Sequence, residues 1–541
     1  MNNSPPSSSY RWLVLGIIMM GTFSVMLNSS IVNVALPHMM NAFGVNRNQI
    51  EWVSTGFMLA SAVVMPLVGW VIGRVGHKAL YLGALALFTF GAAVSAFSWD
   101  YNSLIGARII TAIGAGGIQP VGMAIVASLF EPHERGKALG IWGTGVMLGP
   151  ALGPTLGGYL TDWFTWRAIF SVNLPIGLVT LLAGAAVMKS EKSIPRTRVP
   201  FDWWGFFFLS IVLICGLLAL SKGQEKGWDS TYIRTCIALT VAGLILFVTV
   251  ESTTRHPLLD LSLFRYFNYS LSMVLAIFRS IGLFGGLFLL PIFLQNMSGF
   301  TTIKAGLWMM PGAIMIGIMM PVAGRLADRY NPRWLATFGT AITGFSLLMY
   351  GYLDPLSNAT MIIGWQLVRG VGLALMMAPL ITAAINSVPP DKVAVASSFL
   401  NVVQRVAGSF GIALLNTYVT NSISSHSLRL GELIGMRSEN FRYFASHVSD
   451  VVSRQMQGLG STSAASEIIS KLVLRHVPDL PTSEYGQGLL YSLDSLFHRA
   501  SVMGFDNGFV LAGWIVLAGL PFCLLLKPGW YQADGSKIQI G

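Results

Sequence analysis

The sequence carries little charge for its length. Charged residues make up 11% of the 541 residues, whereas hydrophobic residues make up 53%. A soluble chain this long divides into several domains with charged surfaces, and this composition excludes that class. Apolar runs of about twenty residues follow one another with short breaks, and that length crosses a bilayer. The sequence therefore predicts an all-α, multi-pass membrane protein.

Cysteines and catalytic motifs are also scarce. Cys215, Cys236 and Cys523 lie in apolar runs without CxxC spacing, so neither a disulfide framework nor a metal site is indicated. No HExxH, Walker loop or nucleophile elbow occurs, and the glycines at 114–117 follow no strand. The net charge of +11 lies mainly in loops, where it is a topology signal rather than a nucleic-acid footprint. We predict no enzyme activity, cofactor, metal or nucleic-acid partner, and any transport would use an ion or substrate gradient.

The apolar runs predict about fourteen membrane-spanning helices. They are numbered helix 1 to helix 14 and placed near 12–36, 50–72, 79–97, 103–127, 137–160, 167–188, 203–221, 232–250, 270–294, 305–324, 335–352, 360–385, 394–419 and 505–526. An even number puts both termini on one side. With that side cytoplasmic, few cations remain in the outer loops, namely Arg47, Arg167, Lys222, Lys226, Arg234 and Lys304. This asymmetry follows the positive-inside rule.

An internal repeat indicates two related halves. The sequence MPLVGWVIGR at 65–74 recurs as MPVAGRLADR at 320–329, and Gly153 and Gly408 share that offset. Transporters built from such repeats place the substrate site between two bundles. We predict a 6 + 2 + 6 arrangement with boundaries at 1–10 (cytoplasmic tail), 11–188 (first bundle), 189–268 (linker and inserted helices 7 and 8), 269–526 (second bundle) and 527–541 (cytoplasmic tail).

Helix 5 contains a glycine every fourth residue, at Gly145, Gly149, Gly153 and Gly157, followed by Gly158. This spacing lets a second helix approach its backbone closely. Pro150 and Pro154 remove helical hydrogen-bond donors and weaken the helix there. The pattern predicts a close-packed, bendable gating segment, and the alternative is a static packing face.

Two short charged loops are candidate latches. The first contains Gly69, Arg74, Gly76 and Lys78, and the second, in the repeat, contains Gly324, Asp328 and Arg329. Such loops can bind neighbouring helix ends in one conformation and release them in another. The alternative is that they only set the topology.

Four arginines lie within apolar spans. An arginine at the bilayer centre costs about 2.5–3.5 kcal/mol, so each must face the protein interior, water or a partner. Substrate binding is one role, and hydrogen bonding to carbonyls or polar neighbours is the other. The candidate substrate-binding residues are Asn28, Arg108, Arg279, Gln366, Arg369, Asn401, Gln404 and Arg405.

Several segments together resemble the fourteen-helix EmrB/QacA drug:proton exporters of the major facilitator superfamily. They are 27–37, 51–60, Arg108 with Gly114, the GxxxGPxxGG segment of helix 5, the GxxxDRxGRK-like loops and 401–411. The resemblance implies a major facilitator fold in a bacterial inner membrane and export of amphipathic small molecules. In that family a helix 1 aspartate is implicated in proton coupling, and here Asn28 occupies its position.

Other departures are Thr111 and Ala112 in the helix 4 motif and Gly73 in place of an acid in the first loop. Without the helix 1 acid, Glu51 and Asp506 are the proton-coupling candidates, and the buried arginines favour anionic or zwitterionic substrates. Two alternatives stay open at this point: a lipid or glycolipid translocase of the same fold, and a nontransporting sensor.

The segment 420–504, between helices 13 and 14, is too polar for lipid and has helical apolar spacing. We predict a small external helical hairpin. It would lie on the membrane, pack on the protein itself or bind a partner. The resemblance implies a periplasmic adaptor protein as that partner.

Overall fold

The structure is a computed structural model, and it describes residues 8–189, 200–355, 357–433 and 484–527 with two short strands beyond them. All predicted spans appear as single helices or as two or three consecutive helical segments. Their bounds are Ser8–Phe43 (helix 1), Arg47–Ile50, Trp52–Val64 and Leu67–Val75 (2), His77–Ala96 (3), Tyr101–Leu129 (4), Arg135–Trp163 (5), Ala168–Ser171 and Asn173–Val187 (6), Trp203–Lys226 (7), Thr231–Thr253 (8), Phe267–Phe284, the π-helical Gly285–Leu289 and Leu290–Asn296 (9), Thr302–Arg329 (10), Pro332–Tyr350 (11), Ala359–Asn386 (12), Val393–Leu433 (13), and Glu484–Leu517 with Leu520–Leu524 (14).

Eleven of these helices are long and apolar enough to cross a membrane, and helix 2 makes twelve if its bent pieces form one span. Helices 5 and 11, of 29 and 19 residues, lie between these helices in the chain. They do not reach the same combination of length and apolar character. Short 3₁₀ turns lie at Leu261–Arg265 and Pro390–Lys392, and Trp530–Tyr531 pairs antiparallel with Lys537–Ile538. The protein is thus an all-α, multi-pass membrane protein, and the count of fourteen spans stays a prediction.

The helices pack as two similar bundles. In the first, helix 1 packs on helix 5 and helix 4 on helices 2 and 3; in the second, helix 9 packs on helix 13 and helix 12 on helices 10 and 11. These pairs correspond through the sequence repeat. Helices 7 and 8 pack on each other, and helix 7 contacts helix 2 and helix 13. Helices 5 and 10 form an extensive contact between the bundles.

Among the described residues, the largest hydrophobic core shared by the two bundles lies toward one side. The side where helix 1 begins, which the charge pattern predicts to be cytoplasmic, is called the inner face, and the opposite side the outer face. Toward the inner face, Val126 and Leu139 of the first bundle share one core with Tyr269, Ile385 and other residues of the second. Toward the outer face, each bundle has a core of its own. The protein is therefore closed at the inner face.

The segment 420–504 differs from the predicted separate hairpin at both ends. Helix 13 continues without a break to Leu433, and helix 14 begins at Glu484. Ile423 packs on Gly504, and the Asn507 amide bonds Ser422 Oγ at 2.9 Å and His426 Nε2 at 2.8 Å. These contacts hold the two extensions together as helix continuations. The middle of the predicted hairpin, 434–483, lies outside the described residues.

Candidate functional site

The predicted glycine face of helix 5 packs on helix 1. A side chain at Gly149 would overlap Met26 and come within 2.7 Å of the Leu27 nitrogen. At Gly153 the neighbour would be Ser30, and at Gly145 and Gly157 it would be Met19 and Ile31. The four glycines therefore hold helices 1 and 5 at backbone distance within one bundle.

The two prolines do not break helix 5, which is continuous from Arg135 to Trp163. Pro154 cannot donate to the Pro150 carbonyl, which instead accepts a hydrogen bond from Ser30 Oγ at 3.3 Å. A helix 1 hydroxyl thus replaces the missing backbone donor.

A second glycine face of helix 5, which the sequence analysis missed, packs on helix 10 of the other bundle. Side chains at Gly136 and Gly140 would overlap the carbonyls of Gly324 and Met320, and one at Gly324 would overlap the Gly136 carbonyl. Toward the outer end, Gly158 meets Ile303 and Gly306 meets Thr155. The four-residue spacing of Gly136 and Gly140 was the available signal. This face forms the tight contact between the bundles.

The second predicted latch lies at the inner end of this contact. Asp328 accepts hydrogen bonds from the backbone nitrogens of Gly136 at 2.7 Å and Lys137 at 2.8 Å. These are free donors at the start of helix 5, where the helix dipole also favours a negative charge. Arg135 adds a 3.1 Å hydrogen bond to Asn386 of helix 12. Arg329, beside Asp328, is exposed.

The first predicted latch has a different geometry. Gly69 lies against Val395 of helix 13, where a side chain would come within 2.8 Å of Val395 Cγ2. Gly76 has φ +83° and connects helices 2 and 3, a conformation that glycine adopts without strain. The Arg74 guanidinium lies 4.2 Å from the Trp70 ring, and Lys78 donates to the Met188 and Ala185 carbonyls at the end of helix 6.

Arg108 binds other parts of its own bundle. It is 1% exposed and donates to Asn28 Oδ1 at 2.5 Å and to the Val53 carbonyl at 3.2 Å. Its guanidinium also lies 4.2 Å from the Phe57 ring. Asn28, which replaces the family's aspartate, is thus the hydrogen-bond acceptor of the buried arginine.

Arg369 of the second bundle is partly satisfied, since its Nε has no hydrogen-bond partner among the described residues. Arg369 donates to Gln366 Oε1 at 2.9 Å and to the Leu283 carbonyl at 3.4 Å. Its guanidinium lies against Gly286 in the π-helical turn of helix 9, where any side chain would overlap it. The Asn401 amide bonds its own helix at Ser397 and Met123 Sδ of helix 4 at 3.7 Å.

Two of the four arginines within the apolar spans remain unpaired in the part of the chain that the structure describes. Arg279 is 3% exposed, and neither it nor the half-buried Arg405 has a hydrogen-bond or ion-pair partner there. Gln404, beside Arg405, is also half-buried. These two guanidiniums are available for an anion.

The two acidic candidates have different surroundings. Glu51 accepts hydrogen bonds from Arg47, at 3.1 Å, and from Lys222. Asp506 keeps one buried carboxylate oxygen without a partner among the described residues. Lys222 is a buried residue near the end of helix 7 and also binds Glu225 at 2.6 Å, so it is not the loop cation that the sequence suggested.

Helix 7 connects the two bundles at the outer face. Lys222 binds Glu51 of helix 2, while Trp228 Nε1 and Gln224 bind Thr417 of helix 13, at 3.1 and 2.9 Å. Leu217 packs on Leu59 between these polar contacts and the membrane centre. The inserted helix therefore links helices 2 and 13 near their outer ends.

Two repeated bundles, a tight inter-bundle contact and buried arginines are features of a two-bundle membrane transporter fold. The family model of the Major Facilitator Superfamily matches residues 18–412. The chain belongs to this superfamily.

The relatives narrow the class to EmrB-like proteins. The chain is 30% identical over 529 residues to "Multidrug export protein EmrB" of Escherichia coli, covering 96% of this chain and 98% of that protein. It is 32% identical over 516 residues to "Uncharacterized MFS-type transporter YhcA" of Bacillus subtilis, covering 95% and 92%. The resemblance seen in the sequence is confirmed, and the relatives give no support to a lipid translocase.

A solved structure shows the same fold. The human organic anion transporter MFSD10 (TETRAN) aligns with a TM-score of 0.56 over 95% of this chain and all of that chain, at 13% identity. At this identity the likeness shows the fold alone.

Proposed function

We propose that this protein is a proton-coupled secondary exporter of amphipathic small molecules in a bacterial inner membrane, with both termini cytoplasmic. The relationship to multidrug exporters supports the substrate class. The observation that carries the mechanism is the difference between the faces: one shared core closes the inner face, whereas the bundles have separate cores toward the outer face. Rocking of the bundles would exchange these arrangements.

We further propose that the substrates are anionic or zwitterionic. Arg279 and Arg405 are cations in a low-dielectric setting without a partner in the described residues, which favours binding of a negative group. Arg108 is less available because Asn28 and the Val53 carbonyl already bind it.

Transport of a matched pair of anionic and cationic amphiphiles into proteoliposomes tests this proposal. Wild type should prefer the anion, and Arg279→Ala should reduce anion transport roughly tenfold or more, because one charge-assisted hydrogen bond contributes about 1.5–3 kcal/mol. Arg265→Ala, at an exposed position in the turn before helix 9, is the control. Preference of wild type for the cation, or unchanged anion affinity in Arg279→Ala, would contradict the proposal. Asn28→Asp should shift the preference toward cations.

For proton coupling we favour Asp506 over Glu51. A proton on Glu51 would compete with two bound cations, whereas Asp506 has a free buried oxygen among the described contacts. In the same liposomes, Asp506→Asn should bind substrate normally but lose the response to a pH gradient.

A periplasmic adaptor at 420–504 also remains our proposal. The extended ends of helices 13 and 14 would place the segment at the outer face, where such a partner would bind.

A further inference from the structure

Two acidic residues meet at the inner base of the helix 7 and helix 8 hairpin. Asp202 immediately precedes helix 7, and Glu251 lies in the last turn of helix 8. They are 8% and 4% exposed, which is unusual for carboxyl groups without a cation. Neither belongs to the bundles, the latches or the substrate path described above.

Each carboxyl group has one satisfied oxygen. Asp202 Oδ1 accepts a hydrogen bond from the Gly205 nitrogen at 2.8 Å, and Glu251 Oε1 accepts one from the Leu259 nitrogen. The other two oxygens, Asp202 Oδ2 and Glu251 Oε2, are buried and have no partner in the described chain. A methyl group at Gly205 would overlap Asp202 Oδ2 and lie 2.7 Å from Glu251 Oε2. The two unpartnered oxygens therefore face the same small space.

Two negative charges in this space would repel each other without a compensating cation. A single proton removes the repulsion and satisfies both oxygens at once. Asp202 is the better site for the remaining negative charge because it caps the start of helix 7. We propose that Asp202 and Glu251 form a proton-binding site in which Glu251 Oε2 carries the proton and donates it to Asp202 Oδ2.

The surrounding elements carry other charged groups. These are Arg74 of helix 2, Arg255, His256 and Asp260 of the segment after helix 8, Lys392 of the turn before helix 13, and Arg405 of helix 13. Within the described residues, none of them hydrogen-bonds Asp202 Oδ2 or Glu251 Oε2. The proton is therefore the simplest ligand that satisfies the pair.

The site is positioned to hold the hairpin on the first bundle. Phe201, next to Asp202, packs on Trp70 of helix 2 at a ring distance of 4.8 Å, and Leu209 of helix 7 belongs to one cluster with Met65. The protonated pair stabilises this base, and loss of the proton loosens the hairpin from helix 2.

Thermal unfolding of the purified protein across pH tests the site. Above the ordinary carboxyl pKa the folded state binds one proton more than the unfolded state, so wild-type stability should fall as the pH rises from about 5 until the folded site loses its proton. Glu251→Gln, whose amide can donate to Asp202, should remove this fall. Its thermal unfolding midpoint should be higher than that of wild type at alkaline pH. Asp202→Asn should also remove it. Asp229→Asn, with a side chain 97% exposed, is the control and should behave as wild type.

Infrared spectroscopy supplies a second readout. Wild type at neutral pH should show a protonated carboxyl band that is absent from Glu251→Gln or, if that variant does not fold, from Asp202→Asn. Parallel pH profiles in wild type and both variants would overturn the proposal. So would an unchanged carboxyl band, or stabilisation by added Mg²⁺ or Ca²⁺ in place of acid, which would assign the site to a metal cation.

Discussion

Helices 2 and 10 carry the same repeated sequence but meet the opposite bundle differently. Helix 10 is continuous over 28 residues, through Pro321, and follows helix 5 from Gly324 at the inner end to Ile303 at the outer end. Helix 2 breaks at Met65-Pro66 and bends by 56°. Its inner part contacts helix 13 at Gly69 and Val395, and near the outer end helix 7 binds both helices.

The repeated segments 65–74 and 320–329 therefore make different contacts with the opposite bundle. Asp328 binds the start of helix 5, whereas the equivalent position in helix 2 is Gly73, which has no side chain to bind helix 13. Helix 7 supplies Lys222 and Gln224 as a substitute at the outer end. One inter-bundle contact is thus formed by backbone packing and a helix cap, and the other by an inserted helix.

The largest effects should come from filling the two glycine faces of helix 5. Gly140→Leu places a side chain against the Met320 backbone, and overpacking costs about 1–3 kcal/mol even where side chains can yield. We expect normal insertion and at least roughly tenfold slower transport.

Gly149→Leu should also abolish transport, but by separating helices 1 and 5, which lowers the thermal stability of the first bundle. Gly83→Leu, at an exposed helix 3 position with open space, is the control. Full transport by Gly140→Leu or by Gly149→Leu at normal expression would refute the corresponding packing argument.

The comparison of the two loops can be tested by removing the acid at Asp328 and introducing one at the equivalent position, Gly73. Asp328→Asn loses a charge-assisted hydrogen bond worth about 1.5–3 kcal/mol, so the population open at the inner face should rise roughly ten- to hundredfold. A cysteine at Ser397, which bonds the Pro120 carbonyl across the bundles, reports that opening by its labelling rate. Gly73→Asp in the Asp328→Asn background should slow labelling again. Equal labelling in all variants would show that Asp328 is not a latch.

Removing Lys222 tests the outer contact made by helix 7. Lys222→Met leaves Glu51 with Arg47 alone and breaks hydrogen bonds to charged groups of about 1.5–3 kcal/mol. A cysteine at Met58, which contacts Ser409 across the bundles, should become more reactive by about tenfold. Lys226→Met, at the exposed last residue of helix 7, is the control. A larger effect in the control than in Lys222→Met would assign the change to the loop instead.

The smallest effect concerns the ion pair at the start of helix 13. Although burial disfavours its charge, hydrogen bonds from Lys392, at 2.6 Å, and Ser262 hold the pKa of Asp260 below its ordinary value. A lowered carboxyl pKa stabilises the fold above the unfolded-state pKa and loses that contribution as the pH falls through the folded-state pKa. Because both side chains are about a third exposed, we expect only about 0.2–1 kcal/mol. Thermal unfolding from neutral to acid pH should show a smaller loss for Asp260→Asn than for wild type, and an equal loss would contradict this assignment.

The sequence alone determined the class of fold. Apolar runs long enough to span a bilayer leave few alternatives to helices, because backbone groups in lipid must be hydrogen-bonded within the segment. The offset between 65–74 and 320–329 indicated the two halves, and the glycine spacing in helix 5 indicated close helix approach. These features depend on local periodicity, which a sequence displays directly.

Only the tertiary structure decided which partner each element has. The glycines at 145–157 face helix 1, while Gly136 and Gly140, in the same helix, face helix 10, and the helical period alone does not identify the neighbour on either side. Asn28 accepts from Arg108, and Lys222 binds Glu51, across separations of 80 and 171 residues. A buried charge selects its partner by proximity in the folded chain, since its cost in a low dielectric depends on what lies within hydrogen-bonding distance.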